Sequence, residues 1–270
     1  MDTERLVELV RRAPVLAALQ EAGAMDRREL ETHLDVSKST VHRLTRSLRE
    51  RGLVEREAGA FVLTPLGTVC ATEVTAFATT IDSATALAPM VATADAHDVA
   101  FDVGAFADAT VTTAAPGNPY RPVERFMALV SRTDELRGLD PATINPLHVD
   151  ALYERIVDGM ATEVVFPPAV VEELLETNPD RAEHVIESGN LTMLVNDDLP
   201  FGLTLCDERV GVGIYDDDTG LLRTYADTDA PAAREWAEDV YASYRADAIS
   251  LDDHPSLSRL SPGAAPGEHE

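Results

Sequence analysis

The chain has 270 residues, 45% of them apolar, which suffices for two packed domains. No apolar run approaches about eighteen residues, and the N-terminal MDTERLVELV carries acids where a secretory signal needs a basic region, so neither a spanning helix nor a signal peptide is predicted and the chain is expected to be cytoplasmic. Cys70 and Cys206 are the only cysteines, far apart and outside any CxxC, which excludes a disulfide framework and a cysteine zinc site; two ordinary buried thiols are expected.

The formal charge is −26, from 48 Asp and Glu against 22 Lys and Arg, and Lys38 is the sole lysine. Abundant carboxylates with Arg in place of Lys fit a halophilic protein kept hydrated in a salt-rich cytoplasm, so the acidic total says little about partners. Its distribution says more. Residues 1–66 hold eleven basic and eleven acidic side chains and sum to zero, whereas the rest carries the whole deficit; Val36–Arg51 alone has five basic residues against one acid.

Asp26-Arg27-Arg28-Glu29 fits a capping box that opens a short helix containing Leu30 and Leu34. Ser37 can cap a second helix. On it Val41, Leu44 and Leu48 form one stripe, and Ser39, Arg43, Arg46 and Glu50 the opposite one, flanked by His42. Gly52 can stop that helix as its C′ residue. Leu53–Glu57 then reads as a strand, Ala58-Gly59 as a tight turn and Ala60–Thr64 as the return strand. Helix, short turn, helix, hairpin is the order of a winged helix-turn-helix domain.

The stretch SKSTVHRLTRSLRERGLVEREAGAFVLTPLG resembles the recognition helix and wing of archaeal and bacterial winged-helix transcription regulators, through S-x-S-T-V-x-R, R-G-L-V and the closing L-T-P-L-G. A recognition helix lays its N-terminal residues against base edges in the major groove, so Ser37, Lys38, Ser39, Thr40 and His42 are the candidates there. Arg43 and Arg46 can reach bases or phosphates, and Arg56 on the wing can touch the adjoining backbone. Arg49, late on the helix, is expected to pair with nearby acids. A solvated basic helix in a protein-interaction module is the competing reading. At about 1 M salt the screening length is only about 3 Å, so direct contacts must supply more of the specificity than long-range attraction does.

Residues 66–88 place Leu66, Val69, Val74, Phe77, Ile81, Ala84 and Ala88 at helical spacing, predicting a long helix interrupted near Pro89. Residues 67–98 are therefore expected to link the domains and to offer a homodimer seam, as a two-fold operator requires; packing on the chain's own C-terminal domain is the alternative.

From residue 99 the pattern alternates. Strands are predicted at Ala109–Ala114, Glu135–Leu139, Thr162–Phe166, Leu191–Val195, Gly202–Cys206, Arg209–Tyr215 and Leu221–Tyr225. Helices are predicted at Tyr120–Ser131, His148–Asp158, Pro168–Ser188 with a break near Asn178-Pro179, and Pro231–Arg245. The fold class expected is α+β overall: a winged helix followed by an α/β domain, residues 99–248, with a mostly parallel sheet and an antiparallel extension. Residues 249–270, rich in Pro, Ser, Gly and charge, read as a disordered tail.

DATVTTAAPGNPYRPVERF, LYERIVDGMATEVVFPPAVVEELLE and DDLPFGLTLCDERVGVGIYDDDTGLLRTYADTD resemble the effector domain of haloarchaeal winged-helix regulators named after the methanogenesis regulator of the Fil type. The resemblance implies a DNA-binding regulator with a sensing domain. From the chain itself, ligands of open α/β sheets bind beyond the carboxyl ends of parallel strands. The candidates around those ends are Arg121, Arg137, Asn145, His148 and Asn196, with Phe201 as an apolar wall. Scarce basic residues on strands and helix starts suggest an anionic metabolite; structural salt bridges are the alternative.

No catalytic residue, metal ligand or cofactor is expected. A sheet of this kind is similar to that of phospholipase-D-like folds, whose nucleophile sits in a His-x-Lys motif, but Val36 stands two before the only lysine. The lone lysine also removes a P-loop GK[ST]. GxSxG, HExxH and GxGxxG do not occur; Gly211-Val212-Gly213 is explained by close packing, and Asp216-Asp217-Asp218 reads as a turn. A redox sensor acting through Cys70 or Cys206 is the remaining alternative to metabolite sensing.

Overall fold

A computed structural model describes residues 3–142, 146–177, 179–216 and 218–257. It divides into two compact units at Asp82/Ser83.

The first unit opens with α1 (Thr3–Ala22) and β1 (Ala24–Met25), neither of which the sequence pattern announced. Helix α2 (Arg27–Leu34) starts at the expected capping box: Asp26 accepts from the Glu29 amide at 2.9 Å, and the Asp26 amide donates to Glu29 Oε2 at 2.6 Å. Helix α3 (Lys38–Glu50) starts at Ser37, whose Oγ accepts from the Thr40 amide at 3.3 Å. It ends in a Schellman motif. Gly52, at φ +68°, donates to Arg49 O, and Leu53 donates to Leu48 O. Strands β2 (Val54–Glu57) and β3 (Ala60–Leu63) form the wing, turned by Ala58 and Gly59 at positive φ, and β1 pairs with β3 to make a three-stranded antiparallel sheet.

Helix α4 (Pro65–Ala86) shows what the L-T-P-L-G segment does. Thr64 Oγ1 donates to Gly52 O at 2.7 Å and accepts from the Gly67 amide at 3.0 Å, Pro65 occupies the first turn, and a Cβ at position 67 would overlap the Leu53 carbonyl. The motif thus ties the helix start to the end of α3. Leu16, Leu19, Leu30, Val41, Leu48, Leu53 and Phe61 make one core with Ala71 and Val74 of α4. Residues 67–82 are therefore part of the winged-helix unit, not a free linker.

The second unit begins in the last residues of α4 and in α5 (Ala88–Ala96), whose Met90 and Ala94 are buried in its own core. In chain order follow β4 (Thr110–Thr113), α6 (Arg121–Val130), β5 (Glu135–Leu139), α7 (Pro146–Val157), β6 (Ala161–Phe166), α8 (Pro168–Thr177), α9 (Pro179–Glu187) and β7 (Leu191–Val195). Then come β8 (Gly202–Leu205), β9 (Val210–Tyr215), β10 (Leu222–Thr228), α10 (Pro231–Ala246) and β11 (Ile249–Ser250). The sheet order is β11-β7-β6-β5-β8-β9-β10-β4.

The mixed α and β class is as expected, but the balance within the sheet is not. Only β5–β6 and β6–β7 pair in parallel, and every other pair is antiparallel. The reason is that β8 returns beside β5 instead of extending the parallel run, and short turns then force β9 and β10 to alternate. Residues 249–257, predicted as the start of a tail, are instead part of the fold. Ile249 and Ser250 pair with Val195 and Leu194, and Leu251 and Leu257 are buried against the sheet, so residues 249–257 belong to the body; 258–270 lie outside the described residues.

The two faces of this sheet differ. Against α5 and α10 one continuous apolar cluster forms, from Leu139, Val165, Phe201, Leu203 and Val212 to Ala233, Ala237 and Tyr241. Against α6 to α9 the apolar residues fall into three separate clusters. Among the described residues no single helix is long and apolar enough to cross a membrane.

Candidate nucleic-acid interface and body cavity

On α3 the 3.6-residue period separates the side chains cleanly. Val41, Thr45 and Leu48 are buried, Leu44 is half-buried, and Lys38, Ser39, His42, Arg43, Arg46, Arg49 and Glu50 are exposed. Lys38, His42, Arg43 and Arg49 make no side-chain hydrogen bond or ion pair among the described residues. Ser37 is committed to capping and shares its hydroxyl with Ser39 at 2.9 Å and Thr40 at 3.0 Å. Thr40 is half-buried. Arg46 is drawn to Glu50 at 2.7 Å, whose charge and hydrogen bond raise its pKa above the usual guanidinium value. Arg49 differs from expectation: Glu50 is taken by Arg46, and Arg49 is left open to solvent beside His42 and Arg56 in a shallow groove against the wing. Arg56 is held there, donating to Gly59 O at 3.2 Å with its guanidinium 5.6 Å from the Phe61 ring. The arrangement can place four unpaired polar or cationic side chains and one wing arginine on a single surface.

In the body, the sheet face under α6 to α9 carries small residues on its central strands: Gly138 on β5, Thr162 on β6, Gly202 and Thr204 on β8, and Gly211 and Gly213 on β9. The glycines leave room for rings. A Cβ at Gly202 would lie 2.9 Å from the Tyr215 ring, and one at Gly211 or Gly213 would run into Tyr225 or Leu222. Close packing thus accounts for Gly211-Val212-Gly213, as the sequence suggested. Between this floor and the helices lies a cavity of about 120 Å³, lined also by Phe126, Leu152, Ile156, Val164, Leu175 and Val185. It separates the three apolar clusters. Space of that size unfilled by side chains costs on the order of 3 kcal/mol.

Two polar features mark its wall. Tyr215 donates its hydroxyl to Asp140 Oδ1 at 2.8 Å, just past the end of β5. Burial pushes the Asp140 carboxyl up to about 7, against the opposing pull of the Tyr215 hydroxyl and the Ala142 amide. Tyr225 is 2% exposed, and its hydroxyl lies over Gly211 beside Thr204.

Residues 1–86 match the HVO_A0261 N-terminal domain, and residues 119–247 match the middle domain of the methanogenesis regulatory protein FilR1. Residues 119–247 are thus similar to a FilR1-type middle domain, and residues 1–86 to a different N-terminal domain. Among solved structures, that of TrmBL2, an archaeal chromatin protein with a novel mode of DNA binding, is 14% identical over 90% of this chain and 93% of that one, with a TM-score of 0.42. The phospholipase D family member Nuc from Salmonella typhimurium is 11% identical over 53% of this chain and 97% of that one, with a TM-score of 0.41. No curated protein matches the sequence.

Within the body the predicted effector residues that are described do not converge on one site. Arg137 forms two hydrogen bonds to Glu238 of α10, at 2.8 and 2.6 Å, and Asn196 donates to Tyr244 O at 3.2 Å. Phe201 is 1% exposed and stacked on Trp236. All three belong to the α10 side of the sheet, opposite the cavity, because alternate strand residues face opposite ways. Arg121 is exposed at the start of α6 and does not line the cavity. Asn145 lies outside the described residues, and His148 falls in α7, where its side chain is not described. The salt-bridge alternative fits Arg125 and Arg137: Arg125 grips the buried Asp227 at 2.6 and 2.7 Å, and Arg209 joins the same carboxylate at 2.7 Å.

Asp140, Tyr215 and Tyr225 were missed, although an acid closing an apolar strand was a usable signal. Cys206 is buried, and desolvation raises its thiol to about 11, which keeps it neutral and unreactive; Cys70 is half-buried in the winged-helix core. Asp216 accepts from the Thr219 amide and hydroxyl and pairs with Arg223, the work of a turn residue; Asp217 lies outside the described residues.

Proposed function

We propose that this chain is a cytoplasmic, sequence-specific DNA-binding transcription regulator without catalysis of its own, and that its FilR1-type body senses a small intracellular molecule. The observation that carries the reading is the cationic face of α3. In a chain of net charge −26, Lys38, Arg43 and Arg49 have no acid partner among the described residues, and Ser39 and His42 lie beside them. That face has the length and chemistry to enter a major groove, Lys38, Ser39 and His42 toward base edges and Arg43 and Arg46 toward bases or phosphates, with Arg56 of the wing on the adjoining backbone. Ser37 and Thr40 contribute by fixing the helix start.

Two copies would act together. Leu66, Val69, Phe77 and Ile81 of α4 are each roughly half exposed and lie along one side of the helix, which supports a homodimer seam there and a two-fold operator. An effector alters such a dimer only if it binds one arrangement of the two heads more tightly than another. The neutral Cys206 thiol weighs against redox sensing at that site.

The test is binding of the full-length chain to DNA fragments selected from a genomic pool, with and without Arg43→Ala. Recovery of a shared, two-fold sequence motif that the variant fails to retain is expected. Equal retention of random fragments by both proteins removes the reading.

A further inference from the structure

The cavity under α6 to α9 has features that specify an occupant. Its floor includes Thr162 and Thr204 beside Gly138, Gly202 and Gly213, while its helix walls carry full-sized Leu, Ile and Val side chains. Its lining is apolar except for the paired Asp140 and Tyr215, the two threonines, and the rings of Tyr153 and Tyr225. About 120 Å³ is close to the roughly 150 Å³ apolar cavity known to admit benzene.

The charge is equally informative. Among the described residues no Arg, Lys or His lines the space, and Arg125, on the same side of the sheet, is spent on Asp227. Against that described lining an anion would meet Asp140 and low-dielectric walls, which disfavours the anionic metabolite expected from the sequence. We propose that the cavity is the sensing site and takes a small uncharged molecule, an aromatic or branched apolar body bearing one hydroxyl or amide that meets the Asp140–Tyr215 pair. This deepens, and rests on, the reading of the body as a sensing domain.

Benzyl alcohol, benzoate and benzylamine share one ring and differ in the charge of the head group, so they separate the alternatives. Each is titrated near neutral pH into the full-length chain with labelled Leu, Ile and Val methyl groups. Benzyl alcohol is expected to give saturable shifts at Leu152, Ile156 and Val164, with benzoate and benzylamine at least about tenfold weaker. Thr204→Leu fills the floor and Ala182→Leu fills from α9, so that a folding failure in one leaves the other; either is expected to weaken benzyl alcohol by about tenfold or more. Absence of benzyl alcohol binding, equal or tighter binding of benzoate or benzylamine, or shifts that survive a folded filler variant would overturn the ligand class. The same samples titrated with operator DNA separate the two claims: cavity binding that leaves DNA affinity unchanged removes the sensing reading and not the ligand class.

Discussion

In the body, Arg125, Arg137, Arg155, Arg181, Arg209, Arg223, Arg234 and Arg245 each meet a carboxylate, whereas on α3 of the winged helix Lys38, Arg43 and Arg49 meet none among the described residues. Of the described body arginines Arg121 and Arg132 meet no carboxylate, and several of the paired ones fasten elements together. Arg125 ties α6 to β10 through Asp227, Arg137 ties β5 to α10 through Glu238, and Arg245 ties α10 to β6 through Glu163, whose carboxyl is held below its usual range mainly by that bond. On α3 the acids that could quench the cations are kept away, apart from Glu50. The difference is one of clustering: three cations unpaired among the described residues share the single helix α3, whose one acid, Glu50, is taken by Arg46.

The largest expected effect lies on the fastened side. Asp227 is fully buried between two arginines, so Asp227→Ala should cost the body about 3–5 kcal/mol in denaturant unfolding, with the winged helix unaffected. A loss of less than about 1 kcal/mol would mean that the network fastens nothing.

Asp140 sets the next. Its carboxyl is raised from its ordinary value near 3.8 to about 7, so the folded state holds a proton that the unfolded chain has released. The stability it confers is complete below the unfolded value and is lost as pH rises through about 7. Body stability should therefore fall by up to about 4 kcal/mol between these values, less other titrations, and Asp140→Asn should flatten that window. Unfolding curves collected across the range check it.

On the open side, Arg43→Ala should leave stability within about 0.5 kcal/mol but weaken operator binding by about 1–3 kcal/mol, measured by titration at fixed salt. The smallest effect sharpens the contrast most. Glu50→Ala frees Arg46 and should tighten DNA binding by about 0.5 kcal/mol, while the matching removal of an acid in the body can only destabilise.

The open face was legible because everything that makes it is local: Ser37 as cap, the 3.6-residue stripe of Val41, Leu44 and Leu48, and Gly52 as the stop. The body's strands were legible for the same reason, from alternation and turn residues. Strand direction was not, since a period of two reads the same both ways, and β8 lands beside β5 only through tertiary packing. β1 and β11 are two residues long, too short to show a period. The cavity was hidden because Gly138, Gly202 and Gly213 sit on three strands and become neighbours only once the register is known. Arg137 and Phe201 were placed by strand end, without asking which face their parity chose, and that face is the one packed on α10.

Genome-wide mapping of bound sites in cells, comparing the intact chain with Lys38→Ala/Arg43→Ala, tests the central claim most directly. The account predicts discrete promoter peaks sharing a two-fold motif, abolished in the double variant although its abundance and unfolding are unchanged. Peaks of equal height and position in both strains would contradict it.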